Sequence, residues 1–129
     1  MKLPDLARYD DARVLDYHGH ADAVVAAARE AGLRYLDVDL SHADDRATLF
    51  AALRNGLELP DYFGNNFDAL ADVLEDRDWL GKRGVAIRLA HATHYRKTHP
   101  NEWRTLEDIL VEASAFWRDR HVAFWVVVS

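Results

Sequence analysis

The chain closes on Val122-Ala-Phe-Trp-Val-Val-Val128, seven consecutive apolar residues followed by Ser129. A run this short does not cross a bilayer, which takes about 20 apolar residues in a helix. It also lacks the polar alternation of a strand with one wet face. What remains is a strand buried on both sides, the condition of an interior strand in a parallel sheet with helices packed over each face. This one segment restricts the chain to a layered α/β arrangement and requires helices and strands upstream to supply the covering layers.

Those elements are legible. ARVLDY around Leu15 reads as a short strand, followed by an alanine-rich helix over Ala21 to Ala31 with Val24, Val25 and Ala28 as its stripe and Gly32 as its C-cap. In RYLDVDL, Leu36, Val38 and Leu40 alternate with Asp37 and Asp39, a strand with one buried face. A second helix is predicted over Asp45 to Asn55, with Leu49, Phe50 and Leu53 at helical spacing and Asn55-Gly56 as its stop. A third spans Phe67 to Glu75, and GVAIRLA follows as a strand. His91 to Asn101, polar with three histidines and a proline, reads as a long loop before a fourth helix over Glu102 to Arg118. The order β-α-β-α-α-β-α-β predicts an α/β fold: a small, mostly parallel sheet of three to four strands, joined by right-handed crossovers and packed with helices. At 129 residues the chain fits one domain, residues 1–129.

Chemistry narrows next. With no cysteine, disulfides, thiolate nucleophiles and Cys-ligated metal centres are excluded, and the composition is compatible with a reducing cytosol. The opening MKLPDLARYDD has no apolar run of the kind a signal peptide needs, so the expectation is a cytoplasmic protein with no membrane segment. The formal net charge is −6, and its distribution is uneven. Between Glu58 and Asp78 lie Glu58, Asp61, Asp68, Asp72, Glu75, Asp76 and Asp78 against Arg77 alone, so this window holds the whole excess and the rest of the chain sums to zero. Such a surface gains nothing from phosphate neutralisation, which argues against direct nucleic-acid binding and for a basic partner.

Within that window Asn66 stands at the N-cap of the third helix, able to accept from the backbone N–H of Asp68 or Ala69, and Asp68 falls in the first turn where the helix dipole favours an anion. The dipole does not account for Asp72 and Asp76, which follow at i+4 and i+8, since like charges at that spacing destabilise a helix by about 0.2–0.5 kcal/mol per pair. The expectation is a row of outward carboxylates opposite an apolar face of Phe67, Leu70, Val73 and Leu74. Beside it lies the aromatic pair Tyr62-Phe63, followed by Gly64 as a residue of positive φ.

The run LPDYFGNNFDALADVL resembles the signature of the barstar family, cytoplasmic protein inhibitors of secreted ribonucleases, over some fifteen contiguous positions. The likeness extends from about residue 34 to 129, with residues 1–33 as an added N-terminal βα unit. It implies a barstar-like fold and an immunity or antidote protein that occludes a toxin nuclease one-to-one, without cofactor or metal. By the same resemblance Asp72 fills the pocket meant for a substrate phosphate, Asp68 and Tyr62 flank it, and Asp76 is peripheral. The partner-binding set is thus Tyr62, Phe63, Gly64, Asn66, Asp68, Ala71, Asp72, Glu75 and Asp76. The physical logic stands beside the name: a ribonuclease holds RNA phosphate with Arg, Lys and His, and carboxylates fixed on a rigid helix can occupy the same donors. Ala71 departs from the family, where an exposed tryptophan is common, and Trp79 stands in for an aromatic that closes the loop after the helix. A second acidic contribution comes from the last helix in the family, but here that helix ends Phe116-Trp117-Arg118-Asp119-Arg120, so the role is not carried over.

Two other readings compete. One is an interaction module of the same fold with a non-nuclease partner. The other is a metal-dependent hydrolase using His91 and His94, with His99 and Asp37 or Asp39, near the carboxyl ends of strands where α/β proteins bind ligands. His91-Ala-Thr-His94 lacks the helical i, i+4 spacing and paired glutamate of zinc motifs.

Overall fold

The computed structural model describes residues 2–129 and contains four strands, β1 (Val14–Asp16), β2 (Arg34–Asp39), β3 (Val85–Ala90) and β4 (Phe124–Val128). They form one sheet in the order β1-β4-β3-β2, and every neighbouring pair is parallel. Six α-helices join them: α1 (Ala21–Glu30), α2 (Arg46–Gly56), α3 (Phe67–Leu74), α4 (Arg77–Leu80), α5 (Thr93–Thr98) and α6 (Pro100–Arg118).

The chain runs from β1 at one edge to β2 at the other, then works back through β3 to β4. Right-handed crossovers taken in opposite directions place their helices on opposite faces. Accordingly α1 packs on one face through Val24 and Ala28, with Ala86, Trp125 and Val127 beneath. On the other face α2, α3 and α6 bury Phe50, Leu70 and Leu106 against Ile87, Phe124 and Val126. The closing run is therefore wet on neither side: every residue from Phe124 to Val128 is buried, with alternate side chains entering different cores.

Two boundaries differ from expectation. The segment expected to be a loop from His91 to Asn101 holds α5 and the start of α6, with Pro100 in the first turn, where its missing N–H costs nothing. Tyr95 anchors it, fully buried, its hydroxyl donating to Glu102 and its ring stacked on His99, whose Nε2 lies 2.7 Å from the Asp44 carbonyl. One buried residue in six leaves no period to detect. Gly56, expected to stop α2, is instead its last residue. A Cβ there would come within 2.7 Å of the Asp37 carbonyl oxygen and Val38 Cα, so glycine is required because the helix lies directly on β2.

Candidate functional site: the acidic loop and helix

Leu59 to Asn66 and α3 form a braced surface. Leu59 is buried, and the Phe63 N–H closes a turn on the Pro60 carbonyl at 3.0 Å. That turn throws Tyr62 outward, 76% exposed, and turns Phe63 inward, 4% exposed, near Phe50. Phe63 is thus a support under the loop. Arg54 of α2 holds the same loop from the side, its Nη2 donating to the Phe63 carbonyl at 3.0 Å and to Asn65 Oδ1 at 2.9 Å.

The left-handed residue of the loop is Asn65, φ 53°, and not Gly64. Asparagine tolerates that region better than most side chains. Glycine is favoured at position 64 by close approach, since a Cβ would sit 3.2 Å from Asn66 Nδ2, which donates to the Gly64 carbonyl. Asn66 caps α3 as its residue type suggests, Oδ1 accepting from the Ala69 N–H at 2.8 Å. Phe67 is partly buried edge-on against Phe50, and Leu70, Val73 and Leu74 are buried in the same core. From α6 the Trp117 indole N–H donates to the Leu74 carbonyl at 2.7 Å and ties down the helix end.

With its inner side fixed, α3 presents Asp68 and Asp72 to solvent one turn apart. Neither takes part in an ion pair among the described residues. The row ends there. α3 stops at Leu74, and Asp76, expected as the third carboxylate of the stripe, caps α4 by accepting from the Asp78 N–H at 2.8 Å. Glu58, at the other end of the acidic window, is paired with Arg34 at 2.6 Å. Asp61, Asp68, Asp72, Glu75, Asp76 and Asp78 remain without an ion pair among the described residues. Ala71 is half-buried between Asp68 and Asp72.

Glu75, the C-cap of α3, meets a residue that sequence reasoning passed over. Burial pushes its carboxyl above the usual range, and the negative charges of Glu112 on α6 and of Asp72 add to this while Arg120 opposes it. The last helix therefore brings a carboxylate beside α3, one turn before the segment Phe116 to Arg120. No local signal marks Glu112; the packing of α6 on α3 brings it there. Arg54 was missed for the same reason, since a surface arginine on a helix gives no sign of bracing a distant loop.

Trp79 is a core residue of α4, its indole N–H donating to the Leu57 carbonyl at 2.8 Å just before the acidic loop. His91 lies in an exposed turn with φ 58°, and His94 is exposed on α5. Among the described residues no three His, Asp or Glu side chains converge as a metal ion needs. No described helix is long and apolar enough to cross a membrane.

The model of one protein family, described as "Barstar (barnase inhibitor)", matches residues 33–129. No curated protein matches the chain. The matched span includes the braced loop, α3 and the three strands β2 to β4, while β1 and α1 lie outside it.

Proposed function

The chain belongs to the Barstar family, whose role is ribonuclease inhibition, and from that premise we propose that it is an antidote to a basic ribonuclease or related toxin nuclease, acting in the cytoplasm as a one-to-one complex. In this reading residues 1–129 act as a single domain, with 1–33 an added unit on the family core. The observation that carries the proposal is the pair Asp68 and Asp72, exposed, unpaired and fixed one turn apart beside the exposed Tyr62. A nuclease active site must hold phosphate with cationic donors, and two carboxylates on a rigid scaffold satisfy those donors without paying for ordering at the moment of binding.

Asp72 is central, Asp68 and Tyr62 flank it, Ala71, Glu75 and Asn66 surround it, and Asp76 is peripheral. Acidic complementarity also steers encounter with a cationic enzyme. Asp72→Ala is expected to weaken the complex by about 2 kcal/mol or more, beyond any other single change between residues 58 and 78, with unchanged thermal stability because the side chain faces water. Calorimetric titration against barnase and against basic ribonucleases of the producing cell measures this. An Asp72→Ala complex as tight as the parent would sink the assignment.

A further inference from the structure

Beside the acidic face lies a surface of opposite character. A groove of about 550 Å³ runs along α2, lined by Arg46, Ala47, Phe50, Ala51, Arg54 and Asn65. Its shape follows from helical spacing. Arg46, Phe50 and Arg54 recur at i, i+4 and i+8, which sets the two arginines about 12 Å apart on one face. Ala47 and Ala51 are exposed and line the space between the two arginines, with Phe50 almost wholly covered beneath. α2 contains two arginines and no acid, in a chain whose net charge is −6.

Both guanidinium groups keep donors to spare. Arg54 uses only Nη2, on the Phe63 carbonyl and Asn65. Arg46 makes one long contact, Nε to Glu102 at 3.8 Å, and lies over the Phe67 ring. Asn65 belongs to the acidic loop and is held by Arg54, so the groove adjoins the acidic loop through a direct hydrogen bond.

We propose that this groove takes an acidic segment bearing an aromatic side chain, supplied by the same nuclease whose cationic cleft faces Asp68 and Asp72. The proposal rests on the inhibitor reading for the identity of the occupant. The ring seats on Ala47 and Ala51, and flanking carboxylates meet Arg46 and Arg54, whose planar forks suit bidentate pairing. The partner is thereby selected by a charge pattern, a cationic cleft bordered by an acidic patch, and not by positive charge alone. A uniformly basic enzyme would meet repulsion at α2.

The test is an NMR titration of the full chain, labelled at its alanine methyl groups, with acetyl-Glu-Phe-Glu-amide and with acetyl-Lys-Phe-Lys-amide as the control. Saturable shifts at Ala47 and Ala51, with the acidic peptide bound at least about tenfold more tightly than the basic one, are expected. Ala51→Glu should abolish the shift at Ala47, and glutamate is nearly as good a helix former as alanine, so the fold is kept. Shifts that fail to saturate, or that are equal for both peptides, overturn the proposal. The titration contains no nuclease, so its failure leaves the inhibitor reading standing. Conversely, an undiminished Asp72→Ala complex removes the assigned occupant while the binding chemistry of the groove survives.

Discussion

Glu75 is held where the carboxylates of two helices approach, and that position trades stability for charge. Its carboxyl is raised by burial first and by Glu112 and Asp72 next, with Arg120 opposing. A raised acid binds its proton more tightly in the folded chain than in the unfolded one. Its contribution therefore favours folding below the ordinary glutamate range and is lost as pH climbs through the folded value. Glu75→Gln is expected to stabilise the free protein at neutral pH by about 0.2–0.5 kcal/mol, small because solvent screens the group, and to flatten the stability profile through mildly acidic pH. Urea unfolding at neutral and acidic pH measures it. A Glu75→Gln protein less stable at neutral pH would contradict this account. At the same scale, the chemistry of Asp68 and Asp72 was readable from residue type and spacing. The inward turn of Phe63 was not, because the pair Tyr62-Phe63 carries no periodicity to say which ring faces the core.

α3 has only eight residues, below the length at which an isolated helix holds itself in water, so its geometry depends on its cap and on its apolar face. Asn66→Ala removes the acceptor for the Ala69 N–H and should cost about 1 kcal/mol of stability. Since Asp68 lies in that first turn, affinity for the nuclease should also fall, but by less than in Asp72→Ala. Chemical denaturation alongside titration separates the two effects. A stability unchanged in Asn66→Ala would show that packing alone sets the helix. The long helices and the strands announced themselves through period and caps. α4 and α5, of four and six residues, bury two side chains and one respectively, and no pattern emerges from so few.

At the level of the whole molecule, the two cores meet at β4, and the second is completed by residues outside the family match. Trp125 is fully buried there, its indole N–H donating to the Leu6 carbonyl at 2.9 Å with Arg13 over its ring. Arg118 of α6 donates to the Ala12 carbonyl at 2.6 Å and ties the N-terminal unit to the opposite layer. Losing the burial of one tryptophan costs about 3–5 kcal/mol, a large share of the 5–15 kcal/mol that holds a domain together. Removing residues 2–33 also frees one edge of β4, so the shortened chain should lose its cooperative thermal transition and bind a hydrophobic dye. A sharp transition in that chain would show that the family core needs no second layer.

Local pattern was enough to establish that β4 is an interior strand, that the fold is α/β, and where the acidic excess lies. Each is a property of neighbouring residues, and side-chain period and charge are fully present in the chain before it folds. Which carboxylates stay unpaired was settled only by packing. Glu58 is neutralised by Arg34 across 24 positions, Asp76 is spent on a cap, and Glu112 arrives from another helix. Ion pairs and burial depend on distance in space, and the crossovers that bring distant residues together leave no trace in the spacing along the chain.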